Sequence, residues 1–275
     1  MSFKLTLAGD QGGGKSTVAK LLTERTGAEY YSAGYFMRKC AAEMGMDIAD
    51  FNVYSETHPE IDEHIDNGLV DLNGVDKDMI IDSRMAWHFV KDNFRVYLFC
   101  DPMECARRIM GAGRETEHFE SVEHTAEKVR QRKTSENKRY FELYGVNIKD
   151  PHNYTLLVDT TYATPEEVCE RILEGLEAWK ADRSYKQGFV CPSHLSYPDD
   201  EADGDKLTAQ LARIEQGKEP EGLCVYDLFG ACQAVEGAES ALAASLCNLP
   251  HVPFTLSDRA PDADAKFVKM ENQVC

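Results

Sequence analysis

The chain has 275 residues, 43% of them apolar and 28% charged, which suits one large globular domain or a main domain with a smaller companion. A net charge of −18 excludes a general nucleic-acid or membrane surface, because most of such an exterior repels phosphate. No run approaches the ~18 apolar residues of a membrane span, the opening MSFKLTLAGD leaves no room for a signal peptide, and nine cysteines without a C-x-x-C pair read as reduced thiols, so a cytoplasmic protein is expected.

Residues 3–27 read as a strand, a glycine-rich turn and a helix in that order. Gly9, Gly14, Lys15 and Ser16 satisfy G-x-x-x-x-G-K-[ST], with Leu5, Leu7 and Ala8 before it and Val18, Ala19, Leu21 and Leu22 after it at helical spacing. Four of the six residues from Gly9 to Gly14 lack a Cβ, so their N–H groups are able to turn inward around phosphate oxygens at the positive end of the following helix. The expected nucleotide-binding set is Gly9, Asp10, Gln11, Gly12, Gly13, Gly14, Lys15, Ser16 and Thr17. Lys15 is to reach the β- and γ-phosphates of ATP and Ser16 to ligate Mg²⁺. The alternative, a turn that binds nothing, has to explain why strand and helix both stand in place.

Residues 28–31 form a short strand, and a helix with Ser32 as N-cap and Gly45 as stop carries Arg38. Asp47 caps a short helix, His58-Pro59 breaks the chain, and residues 60–72 return to helical period. A buried strand at 79–81 ends in Asp82 and Arg84, placing a carboxylate beside the phosphate loop where it can hold Mg²⁺ or its waters; a simple helix cap is the alternative. Strands follow at 94–100 and 154–158, and Thr164 with Pro165 starts a closing helix that runs to about Lys180. Five strands separated by helices predict an α/β fold with a parallel, doubly wound sheet. Trp87 and Trp179 lie on apolar helical faces and read as core, and Cys100 and Cys105 as packing. Between Arg107 and Arg139 nine basic residues face six acidic ones, reversing the sign of the rest of the chain. Alone this is a solvated helix face; beside a phosphate loop it suggests a closing lid.

The loop GDQGGGKST, the segment Tyr31-Ser32-Ala33-Gly34 with Arg38, the strand end Asp82-Ser83-Arg84, the arginine-rich 130–139, Tyr144-Gly145 and Val158-Asp159-Thr160 stand in the order seen in cytidylate kinases. Residues 3–180 resemble the archaeal-type branch of these P-loop nucleoside monophosphate kinases. The chain departs from that pattern at Asp10-Gln11, where a proline is usual, at Ser83, which replaces a glycine, and at Asn147, where an aspartate is common; Asp10 adds a carboxylate near the phosphates.

The resemblance implies ATP-dependent phosphoryl transfer to a monophosphate, CMP or dCMP first. Such a kinase must neutralise two mutually repelling anions from both sides. By similarity Ser32, Gly34, Arg38, Arg84 and Arg139 serve the acceptor, while Lys15, Arg84, Arg130 and Arg132 act on the transferring phosphoryl group, the last two from the lid. The spacing Arg132-x-x-x-Glu136-x-x-Arg139 puts all three on one helical face. Glu136 then orients the arginines and accepts a ribose hydroxyl, or belongs to a surface ion-pair ladder. Arg108 and Arg114 flank the lid and either meet the donor nucleotide or lie on an exposed helix. Ser16 and Asp82 are the Mg²⁺ candidates. Two further readings stay open: a kinase of another monophosphate or small metabolite, and a nucleotide-sensing module whose output passes through the C-terminal part.

Residues 181–205 read as an exposed acidic linker and 206–275 as a small α+β domain. Helical spacing at 207–214, a strand at 224–226, VEGAESALAAS and LPHVPFTL resemble the ParB and sulfiredoxin-like fold. Ala238 and Glu239 stand where that family has its histidine and arginine, so its chemistry is not carried over. The alternative is a small helical appendage that packs on the kinase or makes a homo-oligomer contact. Cys191-x2-His194 and Cys247-x3-His251 have the spacing of two zinc half-sites, but Pro192 and Pro250 inside them suggest turns. With the boundary at 180, residues 1–180 are expected to retain phosphoryl transfer by themselves.

Overall fold

Leu5, Leu7 and Ala8 are all buried, as a strand covered on both faces requires, and Lys4–Gly9 (β1) indeed lies inside a parallel sheet. The structure, a computed structural model, describes residues 2–46, 50–51, 54–55, 57–111, 121–199, 202–262 and 264–269. After β1 come Lys15–Thr26 (α1), Glu29–Ser32 (β2), Ala33–Glu43 (α2), Pro59–Asp71 (α3), Met79–Asp82 (β3), a single turn at Ala86–Phe89 (α4), Phe94–Phe99 (β4), Pro102–Gly111 (α5), Val122–Tyr144 (α6), Leu156–Asp159 (β5) and Pro165–Ala181 (α7). Local chemistry sets these limits. Ser32 accepts from Tyr35 N to start α2, and Thr164 and Glu167 form a reciprocal capping box at α7. The predicted helix cap Asp47 lies outside the described residues.

The order β2-β3-β1-β4-β5, all parallel, is the predicted five-stranded sheet. It does not stop there. Gln187–Val190 (β6) adds in parallel to β5, pairing Leu157 with Gly188 and Val158 with Phe189. The chain continues through Ser196–Pro198 (β7), Gly204–Glu215 (α8), Cys224–Tyr226 (β8), Gln233–Glu236 (β9), Ala238–Leu246 (α9), Val252–Leu256 (β10) and Phe267–Lys269 (β11). Strand β10 runs antiparallel to β6, and β8, β9, β7 and β11 follow it outward, so the described strands make one sheet of eleven.

The stretch 181–205 is therefore not a linker throughout. Gly188, Phe189 and Val190 are buried, and a Cβ at Gly188 would sit 2.4 Å from the Phe254 ring. That ring on β10 is what requires a glycine in the strand. Part of the acidic run also has a local role, since Asp203 caps α8 by accepting from Asp205 N at 3.0 Å and Lys206 N at 3.2 Å.

Two cores lie on the sheet's two faces. One packs α1 and α7 over Leu7, Val96 and Leu98 and includes Trp179. The other joins Trp87, Tyr97, Phe99 and Tyr154 of the first 180 residues to Leu195, Tyr197, Val252 and Phe254 of the C-terminal module in one cluster. Both tryptophans are core residues. Among the described residues no helix is long and apolar enough to cross a membrane.

Candidate active site

The turn between β1 and α1 is shaped by close backbone approach. A Cβ at Gly9 would meet Leu98 O at 2.2 Å and one at Gly12 would meet Cys105 O at 2.6 Å, so side chains there would displace β4 or α5. Gly13 is held from the other side, its carbonyl accepting from Thr160 Oγ1 at 3.1 Å. Gly14 takes a left-handed conformation and opens α1, where Ser16 and Thr17 are exposed. Gln11 lines the cleft between this loop and α6. Lys15 folds back over the loop, Nζ donating to the carbonyls of Gly9 and Asp10 at 2.9 Å each. Burial lowers its pKa, while Asp82 works in the opposite direction.

The Asp10 side chain reaches from the loop toward β4 and α6. Its carboxylate is buried, accepting from Tyr97 Oη at 2.9 Å and pairing with Lys133 Nζ at 2.5 Å. Burial and then the Asp10 charge push the Tyr97 phenol far up, so it stays a proton donor to that carboxylate.

Across the cleft, Arg84 Nη1 lies 2.6 Å from Glu136 Oε1, which also accepts from Arg132 Nε at 2.9 Å. Burial disfavours charge on Arg84, but Glu136 together with Tyr140, Tyr97 and Asp82 more than offsets it and holds its pKa above the ordinary value. The i, i+4 spacing on α6 thus joins Arg132 to Glu136, and the end of β3 delivers Arg84. Arg139 lies further along that face with its guanidinium 5.2 Å from the Tyr140 ring centroid. Arg130 is not brought in. Two residues from Arg132 is more than half a turn of helix, and Arg130 points to solvent beside Glu127 at 3.4 Å.

On the opposite rim, Asp82 Oδ2 accepts from Tyr30 Oη at 3.1 Å. Burial, followed by Asp82, raises the Tyr30 pKa, and Arg38 opposes them, which places Arg38 in the field of the same phenol. Arg38 and Gly34 are exposed on α2, next to the capping Ser32. Arg108 is committed elsewhere: its Nη2 donates to the carbonyls of Thr160 and Thr161 at 2.7 and 2.8 Å and its Nε to Glu104 at 3.0 Å. Arg114 lies outside the described residues.

The turn after β5 is tied down by the C-terminal module. Asp159 is fully buried; Oδ2 accepts from His194 Nδ1 at 2.7 Å and from Cys191 N at 3.1 Å, Oδ1 from Thr161 N at 2.9 Å, and its carbonyl meets His251 Nε2 at 2.8 Å. Residues of the suspected zinc half-sites thus converge on a carboxylate and its carbonyl, and among the described residues no group of three or more His, Cys, Asp or Glu is placed to hold a metal. Burial would raise the Asp159 pKa, but the His194 ring and the Thr161 hydrogen bonds more than offset it and the pKa is lowered. A depressed carboxyl pKa contributes stability that is present above the ordinary aspartate value and is lost as pH falls through the folded value. We expect His194→Ala to lower stability by roughly 3–5 kcal/mol at neutral pH, as breaking a buried pair does. The gap to the native protein should narrow on acidification below about pH 4, as followed by urea denaturation. A gap that widened in acid would remove Asp159 as its source.

Tyr30, Tyr97, Lys133 and His194 were not assigned to the site by sequence. Lys133 was visible as part of the basic run, and the carboxylate at Asp10 was a signal that some cation must answer it, but not which one.

The AAA_18 family model, described as an AAA domain, matches residues 5–138. A cytidylate kinase of Thermoplasma volcanium is 34% identical over 187 residues, 66% of this chain and 96% of that protein. A cytidylate kinase of Thermoplasma acidophilum is 35% identical over 179 residues, 64% of this chain and 93% of its own length. An S-adenosylmethionine-dependent nucleotide dehydratase of Lacinutrix mariniflava is 34% identical over 63% of this chain, which spans 36% of that larger protein.

Proposed function

The chain belongs to the cytidylate-kinase-like family of P-loop kinases, and from that membership we propose that it transfers the γ-phosphate of ATP to a nucleoside monophosphate, with CMP or dCMP preferred. The observation that carries this reading is the Arg84–Glu136–Arg132 cluster facing the Lys15 loop across one cleft. Cations on both sides suit a reaction between two anions, whereas a nucleotide sensor has no need of the second set. Lys15 supports the donor phosphates, Arg84 and Arg132 the group in flight, and Arg38 and Arg139 the acceptor. Glu136 keeps Arg84 and Arg132 in place between turnovers. No general base is required, since the attacking phosphate oxygen is already anionic.

Ser16 and Asp82 fit Mg²⁺: one hydroxyl and one carboxylate make an all-oxygen pair that leaves the remaining positions to phosphates and water. When bound, the ion neutralises charge on the donor phosphates. Small nucleotides are the only partners this reading needs, and a cytoplasmic setting supplies them.

A panel of CMP, dCMP, UMP, AMP and GMP with ATP, followed by ADP release, tests the acceptor. CMP or dCMP is expected to turn over fastest. If AMP, UMP and GMP all outpace CMP, another acceptor is the substrate; if none releases ADP beyond the ATPase background, transfer to monophosphates is wrong.

A further inference from the structure

We propose that Phe229 of the C-terminal module is a positioning residue for nucleotide binding: its ring seats Lys133, and Lys133 neutralises the carboxylate that this chain carries inside its phosphate loop.

The need arises from Asp10. It directly follows Gly9 in a loop whose backbone is arranged to receive anions, and an unanswered negative charge there works against every phosphate that enters. Two groups answer it, Tyr97 by a hydrogen bond at 2.9 Å and Lys133 by charge at 2.5 Å. Lys133 reaches inward from α6, with four-fifths of its side chain covered. Its ammonium lies 4.9 Å from the Phe229 ring centroid and 5.9 Å from that of Tyr97, so two aromatic faces replace much of the water it gave up.

Phe229 is itself held firmly. Its ring packs 4.9 Å from that of Tyr97 and 6.2 Å from that of Phe99. The turn that presents it is braced from within: Gly230 N and Cys232 N donate to Asp227 O at 2.9 and 3.0 Å, and Ala231 N to Asp227 Oδ2 at 2.8 Å. Asp227 and Cys232 adopt left-handed conformations at φ 49° and 47°, which side-chain-bearing residues keep only where their surroundings over-determine them. A rigid aromatic anchor from the module thus stands behind a lysine of α6, which in turn stands behind the phosphate loop.

The inference rests on the ATP half of the proposed reaction and not on the choice of acceptor. The test is accordingly the MgATP dissociation constant of the full chain, measured by calorimetry with no acceptor present. Phe229→Leu keeps apolar bulk and loses the ring face; it should weaken MgATP by about 5–10-fold, and Phe229→Tyr should stay within about twofold of native. In a Lys133→Met background the Phe229→Leu effect should shrink below about twofold, the signature of a residue acting through Lys133. Adding Asp10→Asn to Lys133→Met should recover affinity, and this pair carries the test if Phe229→Leu fails to fold. Equal Phe229→Leu effects in both backgrounds would reduce the ring to packing and overturn the proposal. Native affinity in Phe229→Leu or in Lys133→Met, or no recovery with Asp10→Asn, would overturn it as well. A native protein that does not bind MgATP would overturn the kinase reading and this one together, an outcome distinct from native binding with unaffected variants.

Discussion

Lys15→Ala should lower kcat by ~100-fold or more with the melting temperature nearly unchanged. Among the described residues the side chain donates to two loop carbonyls, Gly9 O and Asp10 O, so its loss removes those hydrogen bonds at a half-buried position and opens no core cavity. Its catalytic loss is larger because those carbonyls are poor competitors for a lysine that a triphosphate can draw away, and its charge is then missing from the donor phosphates during transfer. Burial lowers the lysine's pKa, with Asp82 opposing, and its Nζ donates to carbonyls, which release it more readily than a carboxylate would. Steady-state rates paired with thermal melts check this. A folded Lys15→Ala protein with near-native kcat would take the lysine out of the reaction.

A protein of residues 1–180 should fail to reach a stable fold, against the expectation drawn from the sequence. Ending there removes β6 and leaves the backbone of β5 unpaired on one edge. It strips Asp159 of His194, Cys191 N and His251 together, leaving a buried carboxylate with only its local Thr161 bonds. It also uncovers Tyr97 and Phe99, which share a core with Leu195, Tyr197 and Phe254. Each apolar side chain so exposed costs about 1.5–3 kcal/mol, comparable in sum with the whole stability of a domain. We expect aggregation, or a soluble chain without a cooperative melt and without phosphoryl transfer, seen by light scattering, circular dichroism and ADP release. A folded, active 1–180 protein would show that the module is dispensable to the site.

What could be read from the sequence was local. The phosphate loop, the caps at Ser32 and Thr164, and the strand ends at Asp82 and Val158 each depend on a few neighbouring residues, and all stand where expected within a residue or two. The Arg132–Glu136 pair was legible because helical period alone determines it, and the same period sends Arg130 outward once the phase of α6 is known. What was not legible depends on distant partners. A four-residue strand containing a glycine, Gln187–Val190, has no periodicity to distinguish it from a loop, and its glycine makes sense only with Phe254 above it. The partners of Asp10 at Tyr97 and Lys133, and of Asp159 at His194 and His251, are separated from it by dozens of residues, and no spacing rule joins them.

The pairing of β6 between β5 and β10 has a consequence for how the protein is made. On the ribosome, β5 emerges well before the chain that completes the sheet. Phe254 appears 95 residues after Asp159, so at roughly 5–20 residues per second the half-finished sheet waits about 5–20 s for its last partners. During that interval an open strand edge and uncovered aromatic rings face solvent, inviting pairing with a neighbouring nascent chain. Slow stretches of translation between residues 160 and 254 would therefore lower the yield of this protein more than slow stretches before them, and a chaperone that shields strand edges would have its brief period of use there.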